Sequence, residues 1–231
     1  MTGQTGPDRP ALLWFKFVQG NEFMEAIIHP GMPKTGSSSI QATAVANVPE
    51  GWSFPDTKSG NMSGRFVLFF ENHPHEHFSF KARGMSADEV QIERARHFLK
   101  FEKKLKKSAQ KKQNILFSAE RISNAPANAI KRMADLYREN GYKPRVVAYV
   151  RKPVSFMQSA FQQGIKVNIR HLNLNTMYWP RYRNRFEKFD EIFGRENVEL
   201  SVFDKDALYD GDVCVDFFNK IEVDVPREKI V

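Results

Sequence analysis

Glu25-Ala-Ile-Ile-His29 runs directly into Pro30-Gly-Met-Pro-Lys-Thr-Gly-Ser-Ser-Ser39, and a small-residue stretch follows from Ile40 to Asn47. A short β-branched run, a glycine turn and a helical segment in that order read as strand, turn, helix. Where such a turn feeds a helix beyond the carboxyl end of a strand, backbone N–H groups and the positive end of the helix dipole favour an anion. Gly31 and Gly36 have the spacing of a nucleoside-triphosphate loop, but the Lys-Ser/Thr pair expected after the second glycine is Ser37-Ser38. The lysine, Lys34, lies inside the loop instead. In a nucleoside-triphosphate loop the lysine reaches the β and γ phosphates and the next hydroxyl holds Mg²⁺. Its displacement argues against an ordinary ATPase or kinase.

Outward from this segment, strands and helices alternate. Residues 49–64 read as a loop, and Arg65-Phe-Val-Leu-Phe-Phe70 as a strand; the histidine-bearing segment His73-Pro-His-Glu-His77 comes next. Residues 88–112 carry Val90, Arg94, Phe98, Phe101 and Leu105 at near-helical spacing, which predicts an amphipathic helix. Asn114 to Ser118 reads as a strand, Ala125 to Asn140 as a helix closed by Gly141, and Arg145 to Val150 as a buried parallel strand. Pro153 opens a helix to about Ile165, and a polar stretch runs to Pro180. A helix from Tyr182 to Phe193, a strand from Val198 to Phe203 and a helix from Asp212 to Lys220 complete the pattern. The expected fold is α/β, an open and mainly parallel sheet with helices on both faces. Residues 24–231 are expected to form one domain, with residues 1–23 as an extension of unclear role.

Composition agrees with a folded domain. The 231 residues are 41% hydrophobic and 27% charged, with 20 Phe, which excludes a disordered or low-complexity chain. A single cysteine, Cys214, excludes a disulfide scaffold. No apolar run reaches membrane-spanning length, and Lys16 interrupts the nearest approach to a leader, so a cytoplasmic protein is expected. The net charge is +8, of which residues 100–112 supply most through seven Lys against one Glu. That is the wet face of one helix, or a surface for polyanions. It carries no signature of specific nucleic-acid recognition.

The string Pro33-Lys34-Thr35-Gly36-Ser37-Ser38 resembles the 5′-phosphosulfate loop of the sulfotransferase family, whose donor is 3′-phosphoadenosine 5′-phosphosulfate. A second motif agrees: Arg151 at the end of a strand and Ser159 in the next helix stand at the spacing by which that family binds the 3′-phosphate. The resemblance spans about Ala26 to Ile221, is carried by some thirty residues, and points to a carbohydrate-type, bacterial-like member with a P-loop-like architecture. It implies that Lys34, Thr35, Gly36, Ser37 and Ser38 bind the phosphosulfate, that Arg151 and Ser159 bind the 3′-phosphate, and that no metal is needed. A transferring sulfonate is less anionic than a phosphoryl group, so one lysine and a ring of N–H and hydroxyl donors suffice. The sequence departs from the family in two places. Ile40 stands near where many cytosolic members have tryptophan, and the arginine- and glycine-rich segment that completes the adenine site in those members has no counterpart before Val231. Either other residues take that role or the chain is shortened at its C-terminus.

Transfer to a hydroxyl needs a base. The family places it just past the strand that precedes the arginine strand, where Ser118-Ala-Glu120 lies, so Glu120 is the candidate. His73, His75 and His77 are the other source; strict alternation would set all three on one side as a metal tripod, but Pro74 disturbs it and no fourth ligand is evident. His29 abuts the loop. Tyr178-Trp179-Pro-Arg-Tyr-Arg-Asn-Arg185 interleaves aromatics with arginines, as suits sugar stacking and acidic groups, or equally a helix packed on the sheet. The expected reaction is sulfonate transfer to a hydroxyl acceptor, a carbohydrate or glycolipid, leaving adenosine 3′,5′-bisphosphate. The rivals are a P-loop-type nucleotide-binding kinase and a non-catalytic polyanion-binding module.

Overall fold

In the computed structural model, which describes residues 23–55, 60–166 and 179–231, five parallel strands form one open sheet in the order β2-β3-β1-β4-β5. They are β1 (Met24–His29), β2 (Trp52–Ser53), β3 (Asn114–Ser118), β4 (Tyr142–Val150) and β5 (Val198–Val202). The α/β expectation holds, with every pairing parallel: Ile27 lies opposite Leu116 on one side and Arg145 on the other. The helices are α1 (Ser37–Ala46), α2 (Ser63–Phe70), α3 (Phe78–Lys81), α4 (Ala87–Gln110), α5 (Arg121–Asn124), α6 (Ala127–Glu139), α7 (Pro153–Lys166), α8 (Tyr182–Phe193) and α9 (Val213–Lys220).

Strand alternation divides the core into two layers. Ala26, Ile28, Ile115, Phe117, Val146 and Ala148 face α2, α4, α6 and α8. Ile27, Leu116, Val147 and Tyr149 face α1, α9 and the indole of Trp52. A strand buried on both faces must be apolar throughout, which is why β1, β3 and β4 read as continuous hydrophobic runs.

Two expectations are corrected. Residues 65–70 are helix α2, not a strand: Phe66, Val67, Leu68, Phe69 and Phe70 are all buried. An apolar run of that length has no period that separates the two states. A helix satisfies its own backbone there, and its last carbonyls, on Phe69 and Phe70, accept from the Arg94 and Arg132 guanidinium groups. The loop of residues 49–64 contains the two-residue strand β2, with Trp52 opposite Asn114. The histidine segment is a 3₁₀ turn over Pro74–Glu76, with His77 capping α3, so the three imidazoles do not share one side of a strand. Among the described residues no cluster of His, Cys, Asp and Glu is arranged to hold a metal ion.

The basic helix α4 opens on a complete capping box between Ser86 and Glu89. Its lysines are exposed, although Lys104 donates to the carbonyl of Phe54 at 2.6 Å. Among the described residues no helix is long and apolar enough to cross a membrane. Residues 1–22 of the N-terminal extension, residues 167–178 of the polar stretch and Tyr178 with them lie outside the described residues.

Candidate functional site

The chain leaves β1 toward β2 and β3 on one side, then crosses to β4 and β5 on the other, so the strand order reverses between β1 and β4. Open α/β sheets bind ligands at that reversal, beyond the carboxyl ends of the strands. The three candidate groups follow the three central strands: the Lys34–Ser38 loop after β1, Glu120 after β3 and Arg151 after β4.

The loop is held from within. The carbonyl of His29 accepts from Gly31 N at 3.1 Å and from Ala119 N at 3.0 Å, tying the ends of β1 and β3 together. Thr35 is fully buried and its hydroxyl donates to the Met32 carbonyl at 2.7 Å. That proton is committed, so what Thr35 can still present to a ligand is its backbone N–H. Lys34 and Gly36 both have left-handed backbone, with φ of 66° and 74°. Gly36 is also where α1 begins, and a Cβ there would lie 2.5 Å from Val213 Cγ1, so glycine is required by both conformation and packing. No side chain caps the N-terminus of α1, and its first turn carries no acidic residue. Its amide donors and dipole are left for an outside partner. Ser37 Oγ is buried without a hydrogen-bond partner, whereas Ser38 and the Lys34 side chain are exposed.

Arg151 closes the crevice from the β4 side. Its Nη1 donates to the Lys34 carbonyl at 3.1 Å, and its guanidinium carbon stands 5.4 Å from the centre of the Phe203 ring. Its Nε is buried without a partner. The Tyr182 hydroxyl donates to the Arg151 carbonyl, fixing the start of the loop to α8. Ser159 is half-buried two turns along α7 and is not hydrogen-bonded to Arg151. Glu120 meets the loop from the β3 side: a Cβ on Gly31 would collide with Ser37 Oγ and come within 3.2 Å of Glu120 Cγ. Burial pushes the Glu120 carboxyl above the usual carboxylate range, and the Lys34 ammonium pulls it partly back. The carboxylate therefore feels the loop lysine. The structure thus brings Lys34, Arg151 and Glu120 to one edge.

His29 serves the scaffold. Its Nδ1 is 2.8 Å from Ser118 Oγ, which accepts from Gln41 Nε2 at 3.0 Å, joining β1, β3 and α1. Burial holds the ring neutral, with its pKa lowered to about 4. The unfolded chain takes up that proton near pH 6.5 and the folded chain only near 4, so stability is lost as pH falls between those values. The loss is expected to reach about 3 kcal/mol by pH 4. Urea titrations of wild type and His29→Asn should show it, the variant lacking that part of the pH dependence; equal slopes would refute it.

Sequence reasoning missed a second group of cations, gathered at the turn after Glu120. Arg121 pairs with Glu71 through two bonds, of 2.6 and 3.0 Å. Lys188 donates to the carbonyls of Ser123 at 3.2 Å and Ala125 at 2.7 Å. Arg185 reaches Pro180 O at 2.8 Å and Ser123 Oγ at 3.4 Å. Arg185 belongs to the aromatic-arginine string, of which Trp179 is exposed and Tyr182 is packed against the core. Lys188 and Glu71 lie far from Arg121 in sequence, and nothing local marks them as its neighbours.

No protein-family model matches the chain, and no curated protein matches it. Among solved structures, it is similar to the sulfotransferase domain from the curacin biosynthetic pathway, with a TM-score of 0.51 and 10% identity over 89% of this chain and 76% of that one. A sulfotransferase from Alicyclobacillus acidocaldarius aligns with a TM-score of 0.49 and 14% identity, over 87% of this chain and 81% of that one. A structure from the PezAT chromosomal toxin–antitoxin system of Streptococcus pneumoniae aligns at 0.42 and 14%, over 95% of this chain and 87% of that one. At such identities the likeness speaks for fold alone. The chain has an open, all-parallel α/β sheet with its glycine loop after the central strand, and it shares that fold with the curacin-pathway sulfotransferase domain.

Proposed function

We propose that this protein is a sulfotransferase that uses 3′-phosphoadenosine 5′-phosphosulfate and an acceptor hydroxyl, with a carbohydrate or glycolipid as the acceptor class. The observation that carries the reading is the hydrogen bond from the Arg151 guanidinium to the Lys34 carbonyl. The donor bears anionic groups on both its 3′ and 5′ oxygens, and this bond sets the arginine of one motif against the lysine loop of the other. Two buried donor groups without partners, Ser37 Oγ and Arg151 Nε, and the uncapped start of α1 are what two such anions would satisfy.

The donor supplies a sulfonate on a phosphate–sulfate anhydride; the acceptor oxygen bonds to sulfur as the bridging O–S bond breaks, its electron pair staying on the 5′-phosphate. For an in-line displacement we assign Glu120 to the acceptor side and Lys34 to the leaving side. Glu120, as the candidate catalytic base, takes the hydroxyl proton, and its raised pKa makes it a stronger base than an exposed carboxylate. Lys34 neutralises charge on the bridging oxygen, and the α1 amides with the Ser37 and Ser38 hydroxyls hold the phosphosulfate. Arg151, through a planar fork of donors, and Ser159, from the helix that follows it, hold the 3′-phosphate. No step calls for a metal.

Calorimetry tests the donor assignment directly. Adenosine 3′,5′-bisphosphate is expected to bind in the absence of metal and to outcompete Mg²⁺-ADP. Arg151→Ala should weaken that binding by about ten- to a hundredfold, the worth of charge-assisted hydrogen bonds, with an unchanged circular dichroism spectrum. No binding by the wild type, or undiminished binding by the variant, would overturn the assignment.

A further inference from the structure

Three cations, one from α5 and two from α8, gather at the turn of helix that begins at Glu120. Glu120 stands at the N-terminal end of α5, and Arg121 is the next residue. The Ser123 hydroxyl donates to the Glu120 carbonyl at 3.0 Å, while Lys188 and Arg185 reach the Ser123 carbonyl and hydroxyl from α8. Two hydrogen bonds, through the Ser123 hydroxyl, therefore link the Arg185 guanidinium to the backbone of the candidate base. Within this group Glu71 is paired with Arg121. The two cations from α8 are half-buried and held by neutral carbonyls and a hydroxyl. Burial, then repulsion from Arg185 and Arg121, lowers the Lys188 pKa to about 8. Half-burying like charges side by side costs stability, and an anion among them would recover it.

Donor capacity remains as well. Arg185 spends Nε and Nη1 on its recorded bonds, and its Nη2 has none among the described residues. Lys188 has three protons and two recorded acceptors. We infer that Arg185 and Lys188 form an acceptor subsite for an acidic group, so that the acceptor is a carboxylate-bearing saccharide whose reacting hydroxyl lies at Glu120. This rests on the proposed sulfotransferase reading for the role of Glu120, but the subsite itself is a binding property. A carboxylate meets a guanidinium and an ammonium there with both charges already partly dehydrated, where a neutral sugar leaves them unpaired. The preference is for charge, not for ring shape.

The test compares 4-nitrophenyl β-D-glucuronide with 4-nitrophenyl β-D-glucoside, which differ at one carbon, by calorimetric titration of the full chain without nucleotide. The glucuronide is expected to bind at least tenfold more tightly. Arg185→Gln and Lys188→Gln should each erase most of that preference, and Arg185→Lys, which keeps the charge, should retain it. Lys34→Ala should leave the preference intact, because its ammonium belongs to the donor loop. Equal affinities in the wild type, no binding of either glycoside, or a preference that survives in both glutamine variants would overturn the subsite. Adenosine 3′,5′-bisphosphate titrated in parallel keeps the two readings apart: glucuronide preference without nucleotide binding supports the subsite and sinks the donor assignment. Nucleotide binding without the preference does the reverse.

Discussion

Lys34→Ala is expected to lower sulfonate transfer by about 10²–10³, the usual cost of removing one group aimed at charge that develops in the transition state. Release of adenosine 3′,5′-bisphosphate from the donor, in the presence of a hydroxyl acceptor, is the readout. Two features make the variant clean. Lys34 is exposed, so truncation leaves no cavity, and alanine meets the same left-handed backbone that lysine already tolerates at φ of 66°. The Arg151 contact survives too, since it is made to the backbone carbonyl of residue 34 and not to its side chain. Affinity for the bisphosphate product should therefore change much less than turnover. An alanine variant that turns over like wild type would remove Lys34 from the reaction.

Glu120→Gln carries the second large effect, a fall in kcat of about 10²–10⁴, as expected when a positioned base is lost. Its pH signature is specific. Burial raises the Glu120 carboxyl above its ordinary range, so the group is protonated and inactive at pH values where an exposed glutamate is already ionised. The acid limb of the wild-type rate profile should lie above the usual carboxylate range, with a plateau at higher pH, and the variant should lack it. The stability effect has the opposite sign. A carboxyl whose folded pKa is raised destabilises the fold as pH rises through the interval between its unfolded and folded values, so glutamine should be neutral or mildly stabilising at neutral pH. Lost rate with retained stability separates a base from a structural carboxylate. Should the variant keep its rate, the proton acceptor must be sought in the histidine segment. Within that segment, burial and then the Arg121 guanidinium lower the His77 pKa.

The candidate site was readable to the extent that it is local. Residues 25–47 contain a complete strand–turn–helix unit, and Asn114–Ser118 and Tyr182–Phe193 fall where their boundary residues place them, Gly194 with φ of 85° ending the latter helix. A mainly parallel sheet was legible in runs that are apolar on both faces, and the structure makes every pairing parallel. Residues 65–70 were not readable, because Phe and Val in an unbroken run satisfy a buried strand and a fully enclosed helix equally. What separates them is the cover that α4 and α6 provide, with Arg94 and Arg132 taking the helix's terminal carbonyls. The strand β2 was hidden for a related reason: two residues have no period, and their ladder exists only because Asn114 and Ile115 are alongside.

The amino-acid order alone determined which groups can bind anions and take a proton: a lysine inside a glycine turn, an arginine at a strand's end, and a glutamate after the strand between. Each is set by chemistry confined to a few neighbouring residues. Only the tertiary structure decided that these groups meet, because their meeting depends on β1 lying between β3 and β4 and on Arg151 bonding across 117 positions to residue 34. It likewise decided that Glu120 is partly dehydrated and that Lys188, from α8, crowds Arg121 beside it. Burial and charge repulsion are properties of distance in space, and the chain encodes them only through the packing of the whole.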